Sequence, residues 1–178
     1  GKGSTVSFLE SVLNQKKYRV GTFTSPHILR YNERIKINGI EIDDESLLET
    51  FEMIDEVRGD TTLTYFEFAT LSAFYLFSKS NLDMAVLEVG LGGRLDATNI
   101  VDSDISIISS IGIDHTEFLG NTIDSIALEK AGVMRPFKTC IYAQEKPPAA
   151  LLKYAKNKSV NLLIHNNDYR VNLGSSNW

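Results

Sequence analysis

Four short runs, Met84–Val89, Ile105–Ile111, Thr139–Ala143 and Leu162–Ile164, are predominantly apolar, and helical stretches lie between the later ones. A strand that is apolar on both sides has to be covered on both, which is the habit of parallel strands sandwiched between helices. The stretches around these runs, Phe66–Ser78 (apolar on most sides), Ile123–Ala131 and Ala149–Lys156, read as the covering helices. Strands alternating with helices predict an α/β chain: a doubly wound, mostly parallel sheet with helices on both faces.

Upstream of these runs the pattern is more varied. Val6, Phe8, Leu9, Val12 and Leu13 recur at helical spacing, so Ser4 to about Gln15 is expected to be an amphipathic helix fed by a glycine-rich loop. Tyr18–Thr24 is a short β-like run closed by Ser25-Pro26-His27, where proline ends the strand. Ile35, Ile37, Ile40 and Ile42 surround Asn38-Gly39, a pair that supplies the two positive-φ positions of a tight β-hairpin. Asp43 or Asp44 is placed to cap a helix running through Leu47, Leu48, Phe51, Ile54 and Val57 to Gly59. The chain carries no internal repeat, low-complexity tract or evident linker.

Composition narrows the function classes. With 178 residues and 43% hydrophobic content the chain can bury a real core. Eighteen basic residues against 23 acidic give a net charge of -5, and no basic run suggests nucleic acid or an anionic membrane. The single cysteine, Cys140, allows no internal disulfide, which points to a cytoplasmic protein. The sequence opens without methionine, in what reads as the middle of a glycine loop, so the expectation is an incomplete domain.

In doubly wound sheets, ligands gather at the carboxyl ends of the strands. Ser25, Glu88 and Asp114-His115 interrupt the apolar pattern at such ends. Gly1-Lys2-Gly3-Ser4-Thr5 has the parts of a phosphate cradle ahead of a helix, although Gly3 separates the lysine from the hydroxyls; a flexible terminus is the plainer reading. Glu88, inside an apolar run, needs either a function or a hidden partner such as Arg94. Gly90-Leu91-Gly92-Gly93 departs from the dinucleotide fingerprint at Leu95. Taken alone, His115 reads more readily as a structural histidine, and Lys130 as a cation at a helix end capped by Gly132. Thr64–Phe68 is either core aromatics or one wall of a slot for a planar heterocycle.

Taken together, GKGST at 1–5, TSPH at 24–27, NERI at 32–35, LTYFEFATL at 63–71, LEVGLGGRLDATN at 87–99, DHTEFLG at 114–120 and EKAGV at 129–133 resemble, in order, the folylpolyglutamate synthase and dihydrofolate synthase family, ATP-dependent amide ligases of the Mur type. The bacterial bifunctional type is the nearest match. The resemblance implies an incomplete ATP-binding central domain over 1–178, lacking the start of the phosphate loop and the C-terminal domain. It implies that Gly1, Lys2, Gly3 and Ser4 hold ATP. It further implies that Ser25, Glu88 and His115 bind Mg²⁺, and that Lys130 is carbamylated beside a second Mg²⁺. Thr64, Tyr65, Phe66 and Glu67, with Leu95, Asp96 and Ala97, would bind the pterin-containing substrate. Catalysis would then rest on Lys2, Glu88, His115 and Lys130. The implied reaction joins L-glutamate to dihydropteroate or reduced folates through an acyl phosphate, in a cytoplasmic monomer. A cell-wall ligase acting on a UDP-sugar peptide and a non-catalytic nucleotide-binding module are the alternatives.

Overall fold

A computed structural model describes residues 1–113 and 116–171. The chain divides into two compact units, one of Gly1–Leu91 with Asp96–Thr98, the other of Gly92–Leu95 with the residues from Asn99 onward.

The first unit is a four-stranded sheet. Strands β1 (Val20–Phe23), β2 (Ile35–Ile37), β3 (Ile40–Glu41) and β4 (Met84–Leu87) lie in the order β3-β2-β1-β4. β1 pairs parallel with β4 and antiparallel with β2, and β2–β3 is the expected hairpin. Its turn residues take positive φ, Asn38 at 54° and Gly39 at 81°. The Asn38 side chain also accepts a hydrogen bond from Val20 N–H at 2.9 Å, which fastens the hairpin to β1.

Helices α1 (Lys2–Gln15), α2 (Asp44–Arg58) and α3 (Tyr65–Lys79) complete this unit. Neighbouring strand residues point to opposite faces, and β1 uses both. A Cβ on Gly21 would meet Phe77 of α3, whereas Thr22 Oγ1 donates to Glu10 of α1 at 3.1 Å. Helices therefore cover the two sides of the sheet, as the sequence predicts. Phe23, Ile35, Leu47, Ala69, Ala73, Leu76 and Phe77 form the core on the α3 side. The Asp43 side chain caps α2 by accepting from Ser46 N–H at 2.7 Å, and Gly59, at φ 53°, ends it.

The second unit holds three parallel strands, β5 (Ile105–Ile108), β6 (Thr139–Tyr142) and β7 (Asn161–Ile164), with the short α4 (Thr116–Leu119), α5 (Ile123–Ala131) and α6 (Ala149–Asn157). Cys140 and Tyr142, two apart on β6, face Ala127, Ala131, Leu151 and Ala155 of α5 and α6. Burial pushes the Cys140 thiol up from its ordinary value, which keeps it protonated and unreactive.

Hydrogen bonding thus divides the strands into two sheets. The strands are also shorter than the apolar runs: β4 ends at Leu87, so Glu88 lies one residue beyond the strand rather than inside it. Only its N–H continues the ladder, donating to Phe23 C=O at 2.8 Å. A 3₁₀ turn over Tyr31–Arg34 appears where no regular structure was expected. β4 and β5 are edge strands of their sheets, with Met84 39% and Ile105 60% exposed. No helix among the described residues is long and apolar enough to cross a membrane.

Packing is tight at Gly21 of β1, where an added Cβ would lie 2.6 Å from Leu82 and 2.7 Å from Phe77. Gly21→Ala is expected to cost about 1–3 kcal/mol through overpacking. Urea unfolding followed by circular dichroism should show an earlier midpoint; an unchanged midpoint would mean that the β1–α3 contact yields freely.

Candidate functional site

The carboxyl ends of β1 and β4 bring three sequence-predicted segments together. The register pairs Phe23 with Leu87, so Ser25 and Glu88 emerge side by side. Ser25 N–H donates to Glu88 Oε2 at 3.1 Å. Glu88 is 6% exposed and makes no ion pair with any described residue. Its carboxylate lies against the first turn of α1: a Cβ on Gly3 would be 3.6 Å from Oε2 and 3.7 Å from Oε1. The expected partner Arg94 is engaged elsewhere, with Glu129 at 2.9 Å.

The phosphate-cradle segment is wound into the helix rather than preceding it. α1 starts at Lys2, two residues before the predicted start, with Gly1 as N-cap and no side-chain cap. Among the described residues no side chain caps the leading N–H groups of α1, and the helix dipole adds partial positive charge there. Lys2 Nζ reaches toward Gly90 C=O at 3.5 Å. Thr5 Oγ1 turns back to Gly1 C=O at 3.2 Å, which leaves Ser4 as the hydroxyl of the segment with no hydrogen bond in the described structure. An uncapped helix start beside a buried carboxylate suits a phosphate group accompanied by a cation, because each half neutralises the other.

The predicted substrate segments divide between structural and open roles. Thr64 and Glu67 form the capping box of α3: Glu67 N–H donates to Thr64 Oγ1 at 3.2 Å, and Thr64 N–H to Glu67 Oε2 at 2.7 Å. That backbone bond holds the Glu67 carboxyl below its usual range. Phe66 packs on Phe23, ring centroids 5.7 Å apart, and its ring fills the space that a Cβ on Gly90 would need. Tyr65 remains 59% exposed. Asp96 ties its own loop, accepting from Leu91 N–H at 3.0 Å and from Thr98 Oγ1 at 2.6 Å, beside the half-buried Ala97.

The remaining predicted residues belong to the second unit or fall outside the described residues. Leu95, 79% exposed, belongs to the second unit, as does Lys130 in the last turn of α5. Gly132 follows that helix at φ -60°, so it is not a left-handed cap; glycine is required because a Cβ would overlap the Arg94 backbone at 2.5 Å. His115 and Asp114 lie outside the described residues. Among the described residues no cluster of three or more His, Cys, Asp or Glu could hold a metal ion. One carboxylate with a hydroxyl nonetheless suffices for Mg²⁺, which keeps waters and shares phosphate oxygens.

Sequence reasoning missed the loop after Ser25. Glu33 accepts three backbone N–H bonds, from Ile28 at 2.8 Å, Leu29 at 2.7 Å and Arg30 at 2.7 Å. Arg34, 7% exposed, donates from Nε to His27 Nδ1 at 2.8 Å and lies over the rings of Tyr31 and Tyr65. The NERI run at 32–35 was the signal, but spacing alone does not reveal what its side chains hold.

Comparison with known proteins adds four findings. The family model described as the Mur ligase middle domain matches residues 1–171. The dihydrofolate synthase/folylpolyglutamate synthase of Escherichia coli is 43% identical over all of this chain, which spans 42% of that protein. Among solved structures, E. coli FolC in complex with DHPP and ADP superposes with a TM-score of 0.95 at 42% identity, covering 99% of this chain and 43% of that one. The bifunctional enzyme of Yersinia pestis, complexed with AMPPNP and Mn ion, gives 0.93 at 45% identity, covering 98% and 42%. The chain therefore spans about two fifths of the relatives it matches.

The Glu33 clamp carries a pH signature. Its three backbone donors, Ile28 first, hold the carboxyl down to about 2 from an ordinary 4.5. Because the folded value is the lower one, the clamp is fully present above the unfolded value and is lost as pH falls through about 2. The amide resonances of Ile28, Leu29 and Arg30 should move together with a midpoint near pH 2 in an NMR titration. A midpoint at the ordinary carboxylate value would show that the clamp does not form.

Proposed function

The chain belongs to the Mur ligase middle-domain family, in the branch of the dihydrofolate and folylpolyglutamate synthases, and from that premise we propose that it is the ATP-binding part of a ligase that joins L-glutamate to dihydropteroate or reduced folates. The observation that carries this reading is the buried Glu88 carboxylate, bonded to Ser25 N–H and set against the uncapped start of α1 at Gly3.

The chemistry follows from what an amide bond demands. A substrate carboxylate oxygen attacks the γ-phosphorus of ATP, the bond to the β,γ-bridging oxygen breaks, and ADP leaves. The glutamate nitrogen then attacks the acyl carbon, loses a proton, and expels phosphate through a tetrahedral intermediate. Such transfer asks the protein mainly for positioning and charge neutralisation. Gly1, Lys2, Gly3 and Ser4 would take the phosphates, with backbone N–H groups of α1 as donors and the Lys2 ammonium as the local positive charge. Ser25 and Glu88, with His115, would hold Mg²⁺, which supplies charge neutralisation at the phosphate oxygens when bound. Tyr65 and Phe66, with Asp96 and Ala97, would bind the pterin-containing substrate. For Lys130 the reading is carbamylation, which converts a cation into an anionic oxygen donor. Relatives solved with ADP, or with AMPPNP and Mn ion, support the nucleotide and divalent-metal parts of this proposal.

In the full-length protein, ADP should be released only when pteroate or folate, L-glutamate and Mg-ATP are all supplied. Turnover with a UDP-sugar peptide in place of the folate would overturn the assignment. Glu88→Gln keeps the volume and removes the charge, and is expected to lower metal-dependent ADP release by roughly 100-fold while the circular dichroism spectrum stays unchanged. A wild-type rate in that variant would remove Glu88 from the site.

A further inference from the structure

Arg34 is a buried cation with an unused face. Its residue is 7% exposed, yet no carboxylate among the described residues lies within ion-pair distance of its guanidinium. Two neighbouring acids are committed elsewhere: Glu33, adjacent in sequence, to three backbone N–H groups, and Asp44 to Arg30 and to Asn32. What packs against Arg34 is aromatic. Nε donates to His27 Nδ1 at 2.8 Å, and the guanidinium carbon lies 5.1 Å from the Tyr65 ring centroid and 5.7 Å from that of Tyr31. Tyr31 stays uncharged, since burial pushes its phenol up to about 12.

The two Nη nitrogens make no hydrogen bond to described residues. Among the described residues no fully buried polar side-chain atom lacks a partner, so both Nη atoms reach the surface. The result is a guanidinium held flat by two rings and one imidazole, with its fork left open. Taking a cation out of water costs several kcal/mol unless a counter-charge arrives. The fork geometry matches a carboxylate bidentately.

His27 also fixes the location. It is two residues beyond Ser25, at most about 7 Å of extended chain, so the open fork stands near the corner where Ser25 meets Glu88. A carboxylate that reacts with ATP has to sit at the phosphates, and a guanidinium clamped on it would blunt its nucleophilicity. Dihydropteroate has no other carboxylate. A folate ending in glutamate has a second one, the α-carboxylate, which takes no part in the reaction at the side-chain carboxyl.

We propose that Arg34 is a specificity-determining residue that binds the non-reacting α-carboxylate of a glutamate-terminated acceptor. This proposal rests on the ligase reading given above. In this arrangement Arg34 holds the substrate in register for attack, Tyr65 flanks it, and His27 holds the guanidinium at the angle the fork requires. Arg34 contributes nothing to an acceptor that has a single carboxylate.

The test compares two acceptors on the full-length protein, reading KM and kcat for ADP release with tetrahydrofolate and with dihydropteroate. Arg34→Gln should raise the KM for tetrahydrofolate by roughly 10- to 100-fold, the range of a lost charge-assisted hydrogen-bonding pair, and leave that for dihydropteroate within about twofold. Arg34→Lys, which keeps the charge without the fork, should fall between. Equal losses with both acceptors would assign Arg34 a purely structural role and overturn the proposal, as would an unchanged ratio. Wild-type protein that releases ADP with neither acceptor would instead defeat the ligase reading, and this proposal with it.

Discussion

The parallel register of β1 against β4 governs the rest of the site. Because Phe23 sits opposite Leu87 and Glu88 N–H donates to Phe23 C=O, the residues that follow the two strands leave the sheet at one level. Ser25 and Glu88 are adjacent for that reason alone, though 63 positions separate them along the chain. A shift of register by one would turn every side chain of the strand to the other face. It would also carry Glu88 away from the start of α1. The face of β1 toward α3 has no slack, since Gly21 leaves no room for even a methyl group. Packing in the core therefore fixes electrostatics at the rim.

Two buried charges of opposite sign mark this end of the unit, Glu88 and Arg34, and the described structure neutralises neither with an ion pair. Other charged groups nearby are saturated. Glu33 takes up the N–H groups of the loop, Asp96 ties its own loop, and Glu67 closes the capping box of α3. The contrast separates residues that hold the scaffold from residues held ready for a ligand. A carboxylate already accepting strong bonds is fixed in place, whereas one buried with a single donor retains lone pairs for something else.

Much of the architecture was legible in the sequence, and the failures have physical causes. The Asn38-Gly39 hairpin and the α2 caps at Asp43 and Gly59 follow from backbone conformations that few residues adopt well, so composition alone locates them. The ends of the strands were overestimated because hydrophobicity reports burial and not ladder pairing: Val89 and Ile111 are apolar but lie beyond the last paired residues. The division into two sheets is not readable from periodicity, since each strand has the same pattern whichever neighbour it pairs with. At the site, Ser25 and Glu88 are hydrogen-bonded, while His115, the third member of the set the motifs implied, lies outside the described residues. Arg34 went unseen because its meaning lies in the absence of an acid around it, which only three dimensions disclose. Thr64 and Glu67 show the converse: the motif flagged them for substrate, and their side chains serve the helix end.

The margins of the two sheets bear on how the isolated chain behaves in a test tube. β4 and β5 present rows of amide groups with apolar residues such as Met84 and Ile105 uncovered beside them. Main-chain rails of this kind accept almost any extended peptide, irrespective of its side chains. Self-association is then opposed chiefly by like-charge repulsion from a net charge of -5, which added electrolyte screens within about 10 Å at 0.1 M. On these grounds, association of the isolated chain should grow with protein concentration and with added salt.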